Sequence, residues 1–406
     1  MTTSRRAVPP NLVLVGASVR SLACSAERAG WSVHAADLFG DADLRAIATN
    51  AVAVGGRDRH YPESLVEAVA TFPPAPWCYT GALENHPRLI AELAGTRPLL
   101  GTSPDAARAV RDHRRLAEVV RGAGLGFPDT FTTPSAVPRD GSFLVKPLAS
   151  AGGRGIALWD HATGPRDPET HIWQRCVAGD SWAAAFVVDR RGQPRLWGTS
   201  RQLVGLGWCH ARPWAYCGSL DVPLASLAAP LRDQFERLGH ALAEAFAAAG
   251  LAGLIGADLV VEPSGRAHVI EINPRPTASM ELVERATGES LAAVHLAACG
   301  AEPPRPVAAS PTTTIWGKAV LFAAGDLRID PADIAAMQTA CHPLLDAERD
   351  WPPLADVPCA GASIPAGAPL LTTFAAGSSH ADVLDRLQRR VAAIGAIASA
   401  GQPARH

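Results

Sequence analysis

Several common signatures are missing from this sequence, and each absence narrows the problem. The eight cysteines, spread from Cys24 to Cys359, contain no C-x-x-C pair. In a chain of 406 residues they read as reduced, mostly buried thiols and not as a disulfide framework. The nearest pair, Cys209 and Cys217 in "GWCHARPWAYC", has a spacing that matches no common zinc ligand set. Charge of one sign is also lacking. Lys plus Arg number 37 against 39 Asp plus Glu, and no segment forms the dense basic face expected of a nucleic-acid binder. Aromatic residues make up only 6%. The apolar run after Arg5 and Arg6 is too short for a signal peptide or a membrane span, so a cytoplasmic location is expected.

What is present reads as an α/β protein. "NLVLVG", a helical stretch from Ser18 to Ala29 and "WSVHAAD" ending at Asp37 form a strand–helix–strand unit, which favours a parallel sheet. Ser18 is the expected N-cap of that helix and Gly30 its C′ residue. "AVAVGG" and "APWCYTG" supply further strands, so the first hundred residues read as an open α/β domain. Its first turn, "GASVRS", lacks G-x-G-x-x-G and does not support a dinucleotide site. Amphipathic helices are expected over Pro104–Ala123. Short strands then follow in "FLVKPL", "GIALW", "HIWQRCV" and "WAAAFVVD", with "DRRGQ" as a hairpin turn. A long helix, "AAPLRDQFERLGHALAEAFAAAG", precedes two strands joined by "EPSGR". A Pro-rich connector (301–311), the strand "TIWGKAVLFAAG" and a less regular tail complete the chain.

Three stretches carry chemistry. In "KPLASAGGRGI", Lys146 ends a strand and a Ser/Gly-rich turn follows. Glycines let backbone N–H groups approach a phosphate, Ser150 can donate its hydroxyl, and the ammonium neutralises charge. The alternative is a flexible hairpin turn with a surface lysine. In "QRCVAGDS", Gln174 to Ser181, a bend between strands offers backbone groups to a base edge, or is simply a turn. In the third stretch, the "EPSGR" turn sets Asp258 opposite the Glu271–Asn273 end of the partner strand. Glu271 and Asn273, two residues apart, share a face. Three oxygen-bearing side chains on one face suit a hard cation such as Mg²⁺, and the flanking Val269, Ile270 and Ile272 argue against a merely solvated surface.

The order of these stretches resembles the ATP-grasp superfamily, over about residues 10 to 325. The likeness is carried by "FLVKP…SAGGRGI", "Q-R-C-V-x-G" and above all "GADLVVEPSGRAHVIEINPRP". Within the superfamily the chain is most similar to carboligases related to biotin carboxylase and the purine-pathway carboxylases. The resemblance implies an N-terminal open parallel α/β domain (1–102), a two-lobed ATP-grasp unit (103–325) and a small, mostly β C-terminal region (326–406). It implies ATP with Mg²⁺, or Mn²⁺, as cofactor. Lys146 would contact the phosphates under a loop containing Ser150, Gly152 and Gly153. Gln174 and the backbone at Arg175 and Val177 would hold adenine, and Asp180 or Ser181 would lie near the ribose. Asp258, Glu271 and Asn273 would hold the metal, with Arg275 as the cationic group beside the reacting phosphoryl.

The implied reaction joins a carboxylate to an amine through an acyl phosphate, releasing ADP and phosphate. A non-catalytic ATP-binding scaffold and a small-molecule kinase on the same fold remain alternatives. Two departures from the family pattern stand out. His113 occupies the place of a lead-in lysine, with Arg111, Arg114 and Arg115 nearby, and Ser181 falls where an acid is common. Arg201, Gln202, Trp208, His210 and Trp214 are read as part of an acceptor-substrate wall. Small-molecule substrates are the expected partners, nucleic acid and membrane are not, and a homodimer is compatible with the sequence.

Overall fold

The computed structural model describes residues 9–55, 60–305, 314–342 and 345–400. Arg5, Arg6 and the connector from residue 306 to 311 therefore lie outside the described residues.

The N-terminal unit is a four-stranded parallel sheet in the order β3-β2-β1-β4, built from β1 (Asn11–Val15), β2 (Ser32–Asp37), β3 (Asn50–Ala53) and β4 (Trp77–Tyr79). Helices α1 (Arg20–Arg28), α2 (Ala42–Ile47), α3 (Glu63–Ala70) and α4 (Pro87–Ala94) connect and follow the strands. Leu12, Val13, Leu14 and Val15 are all fully buried, which explains the unbroken apolar run: helices cover both faces of the sheet. Gly30, with φ +92°, takes the left-handed C′ position after α1 as expected. Ser18 does not cap that helix. Val19 holds the N-cap position without a side-chain bond, and the Val19 N–H donates to Asp37 Oδ2 at 3.3 Å instead. A carboxylate from the next strand thus does the work expected of the local hydroxyl.

The lead-in forms two helices, α5 (Pro104–Val110) and α6 (His113–Gly122), capped by the side chains of Ser103 and Asp112. A small antiparallel lobe follows, in the order β5-β8-β6-β7, from β5 (Thr130–Phe131), β6 (Asp140–Pro147), β7 (Ala157–Asp160) and β8 (His171–Arg175).

The larger lobe is an eight-stranded antiparallel sheet. Its strands are β9 (Asp180–Val188), β10 (Pro194–Val204), β11 (Tyr216–Val222), β12 (Gly253–Val261), β13 (Ala267–Asn273), β14 (Ile315–Phe322), and further along the chain β16 (Leu354–Ala355) and β18 (Pro369–Gly377). The order is β13-β12-β9-β10-β11-β14-β18-β16. Helix α7 (Ala229–Phe246) lies on one face and α8 (Met280–Thr287) and α9 (Leu291–Ala298) serve the other. Strand β9 shows why its sequence is apolar throughout. Ala184, Phe186 and Val188 join the core beneath α7, while Ala185 and Val187 pack into the core shared with α1 and α9. Burying Phe235, Leu238, Leu242 and Phe246 of α7 contributes about 1.5–3 kcal/mol per side chain. Asp189–Gln193 and Glu262–Arg266 form the two expected hairpin turns.

The C-terminal region needs one correction. Beside β15 (Leu327–Arg328), β17 (Ser363–Ile364) and β18 it holds α10 (Pro331–Ala340), α11 (Asp346–Arg349) and the 21-residue α12 (His380–Ala400). Helix therefore outweighs strand where mostly β structure was expected. The signal lay in Val383, Leu387, Val391, Ile394 and Ala398, whose helical spacing buries one face against β14 and β18.

All eight cysteines are free thiols. Cys209 and Cys217 are buried in the C-terminal core, and no metal-holding group of three His, Cys, Asp or Glu side chains occurs among the described residues. No helix among them is long and apolar enough to cross a membrane.

Candidate active site

A cavity of about 330 Å³ lies between the small lobe, the large sheet and the lead-in helices, and it collects residues from distant parts of the chain. Lys146, Ser150, Gly152, Gly153, Gln174, Asp258, Glu271, Asn273 and Arg275 all line it.

The β12–β13 hairpin pairs Asp258 directly with Glu271, as the turn between them requires. The register then slips: Leu259 pairs with Val269, leaving Ile270 as an extra residue. This β-bulge re-aims the end of β13, which accounts for a carboxylate inside an otherwise apolar strand. Asp258 Oδ1 accepts a hydrogen bond from Gln202 Nε2 at 2.8 Å, and its Oδ2 accepts one from Asn273 Nδ2 at 3.0 Å. Burial, followed by the negative charge of Glu271, pushes the Asp258 carboxyl up to about 6. Glu271 Oε1 accepts from Arg111 Nη1 at 2.9 Å, while Arg111 Nη2 donates to Asn85 Oδ1 at 2.7 Å. Asn273 Oδ1 accepts from Arg275 Nη2 at 3.0 Å and keeps a second lone pair. The set is two carboxylates and an amide oxygen, all hard donors, and its acids repel one another. That chemistry fits Mg²⁺ or Mn²⁺.

Arg275 is fixed from behind. Its Nη2 donates to Glu84 Oε1 at 2.8 Å, with Glu84 buried and Arg275 half-buried. Burial pushes the Glu84 carboxyl up, but Arg275 and Arg111 outweigh it and hold the acid below its usual range. Arg275 Nε and Glu84 Oε2 are left without partners among the described residues. Opposite them, Lys146 Nζ donates to Gln174 Oε1 at 3.0 Å. Burial pulls its ammonium down, against the raising effect of Glu271 and Asp258. The glycine-rich loop is docked across the cavity onto the β10–β11 connection, where Tyr216 N–H donates to the Gly152 carbonyl at 3.2 Å. Gly153 sits at φ +77°, and a Cβ there would come within 1.8 Å of the Trp214 carbonyl oxygen, so only glycine fits.

Other expected residues sit elsewhere. Arg175 and Val177 line a neighbouring recess with Phe127 and His268, and the Arg175 N–H is already donated to the Asp129 carbonyl at 2.8 Å. Asp180 and Ser181 open β9 outside the main cavity, and Asp180 pairs with Arg201, whose guanidinium lies over Trp182. Of the stretch read as an acceptor wall, Gln202 and Trp214 line the cavity. Trp208 packs into the C-terminal core and His210 Nδ1 meets the Phe322 carbonyl at 3.2 Å. His113 does line the cavity, but the arginine that reaches Glu271 is Arg111; Arg115 turns away to the Ala245 carbonyl. Glu84, Asn85 and Tyr216 were not singled out from sequence. "LEN" and "WAY" match no motif, and only the fold brings them to Arg275, Arg111 and Gly152.

A family model described as the ATP-grasp domain matches residues 110–279. The chain is 24% identical over 222 residues to the carbamoyl phosphate synthase large chain of Xylella fastidiosa (strain 9a5c), an alignment covering 48% of this chain and 20% of that one. The chain thus spans about a fifth of that relative's length. Among solved structures it is similar to carboxyaminoimidazole ribonucleotide synthase of Aspergillus clavatus complexed with ATP, at TM-score 0.69 and 13% identity, covering 96% of this chain and 99% of that one. It is also similar to biotin carboxylase of Campylobacter jejuni, at TM-score 0.63 and 13% identity, covering 92% and 89%. At such identities the likeness is one of fold.

Proposed function

Starting from the chain's place among the ATP-grasp proteins, with that domain over residues 110–279, we propose an ATP- and Mg²⁺-dependent ligase that joins a carboxylate to an amine through an acyl phosphate. The observation that carries this reading is the convergence of Lys146, the Gly152–Gly153 loop and the Asp258–Glu271–Asn273 set on one cavity. The relatives' names, a carbamoyl phosphate synthase and two carboxylating enzymes, are consistent with carboxyl activation and transfer to nitrogen.

ATP with its metal, when bound, supplies the phosphoryl group that activates the carboxylate. The protein's own residues then have distinct tasks. Asp258, Glu271 and Asn273 would hold the cation, Lys146 and Arg111 would supply positive charge to the phosphates, and the loop, docked on Tyr216, would exclude water. Arg275, held by Glu84, presents a fixed positive charge where negative charge develops, so no reorganisation is needed at the moment of reaction. Gln174 orients Lys146 by accepting its hydrogen bond.

The test is incubation with ATP, Mg²⁺ and pools of carboxylates and amines, reading ADP, phosphate and product mass. ADP and phosphate formed together with a condensed product support the ligase. A phosphorylated product without free phosphate indicates a kinase. ATP binding without substrate-stimulated turnover indicates the scaffold reading, which His113 at the lysine position favours.

A further inference from the structure

A second cavity, of about 390 Å³, lies between the N-terminal domain and the C-terminal region and shares no lining residue with the first. On one side it is bounded by Ser18 and Leu38–Asp41, just beyond the carboxyl ends of β1 and β2, the end of a parallel sheet where ligands characteristically bind. On the other it is walled by Ile364, Leu370 and Leu371.

Four acids cluster here: Asp37, Asp41, Asp43 and Asp356. Three are satisfied. Asp37 accepts from the N–H groups of Val19, Phe39 and Gly40. Asp43 accepts from the N–H groups of Asp356 and Val357. Asp356 binds Arg20 Nε at 2.9 Å and the Thr372 hydroxyl at 2.6 Å. Asp41 is the exception. It is 8% exposed, lines the cavity, and its side chain makes neither a cap bond nor any other hydrogen bond or ion pair among the described residues. The nearby guanidinium of Arg20 is already spent on Glu281, Asp356 and Asp43. A buried carboxylate without a partner is costly, and three acidic neighbours raise that cost. Burial first, then Asp356, Asp37 and Asp43, push the Asp41 carboxyl up to about 8. What this corner lacks is a cation. At the rim stands Phe39, 48% exposed, an aromatic surface with no core to fill.

The geometry points to this cavity as a binding site for an organic amine: the ammonium on Asp41, the apolar body between Phe39 and the Ile364–Leu371 wall. The inference goes beyond the ligase reading and does not depend on it, since the nucleotide cavity is not involved.

The test uses the full chain without nucleotide, titrated calorimetrically with 2-phenylethylamine and, as the matched anion, 3-phenylpropionate. The amine binds saturably and the anion at least about 10-fold more weakly, as expected for a charge-assisted hydrogen bond. Asp41→Asn lowers amine affinity by about 10-fold or more, and Phe39→Ala lowers it several-fold. ATP affinity, measured on the same samples, is unchanged in both. Absence of saturable amine binding, equal binding of the anion, or affinity unaltered in both variants overturns the site. Should Asp41→Asn fail to fold, Phe39→Ala and the amine–anion contrast on the unaltered chain still decide. Loss of ATP binding or turnover in the unaltered chain would count against the ligase reading alone.

Discussion

Two clusters of charge, one centred on α8 and one at the end of β13, are built on opposite principles. Around Glu281 every charge is answered. Arg20 grips both oxygens at 2.6 and 2.9 Å, Lys318 Nζ lies at 3.3 Å and Arg285 at 3.5 Å, all of them buried. Burial alone would raise the Glu281 carboxyl, yet these cations hold it well below its usual range. Around Asp258 the balance is left open. Two acids face each other, a cavity adjoins them, and Asp258 is pushed up. The first cluster ties α1 of the N-terminal domain to α8 and β14. The second, under the proposed function, is arranged to hold the metal that accompanies ATP. The contrast separates charges that hold a fold together from charges held ready for chemistry.

Breaking the closed cluster has the largest effect. Glu281→Ala leaves Lys318 and Arg285 buried without their carboxylate, and Arg20 with only Asp356 and Asp43, and costs about 3–5 kcal/mol, read by urea denaturation. A loss under 1 kcal/mol would mean that the network carries no weight. Breaking the open cluster does the reverse. Glu271→Gln or Asn273→Ala loses turnover by roughly 100-fold or more, while the melting temperature stays near that of the unaltered chain; near-normal rates would remove the metal assignment. Lys146→Met weakens ATP binding by about 10-fold, measured by titration.

The smallest effect sharpens the comparison at an acid belonging to neither cluster. Asp221 is 4% exposed, its Oδ2 has no partner among the described residues, and burial pushes it up to about 7. Its raised value means that ionisation opposes folding. The penalty is absent below about pH 4, where both states are protonated, grows as pH rises, and is complete above the folded value. Asp221→Asn should therefore match the unaltered chain in stability near pH 4 and exceed it by about 1–2 kcal/mol at pH 8, read by denaturation at both pH values.

The parts of the site legible in the sequence are those whose geometry is local. Asp258, Glu271 and Asn273 are set by a five-residue turn and a two-residue period, and Lys146 by the strand that ends one residue beyond it. Glu84 and Tyr216 were out of reach because their partners are fixed only by tertiary packing: Glu84 meets Arg275 191 positions away, and the same packing decides which arginine near His113 reaches Glu271, Arg111 doing so across 160 positions. The same limit explains Ser18, displaced as a cap by Asp37 from the neighbouring strand, and Arg201, drawn off to Asp180. The bulge at Ile270 left no mark beyond an unusual residue order. Most strands were readable from their apolar runs. Helix α12 was readable in principle from its spacing, but Gly395 and many alanines blurred it.

The pairing of β14 with β18 has a practical consequence for anyone dividing this chain. Eight registered residue pairs, from Ile315 opposite Gly377 to Phe322 opposite Pro369, make β14 an interior strand. Cutting after residue 325 would strip that partner away along with α12. Trp316 and Leu321, now 1% exposed, would lose their cover, and a row of unpaired backbone groups would form an aggregation-prone edge. The tail behaves as a selvedge: it is what keeps the sheet from fraying into contact with other molecules.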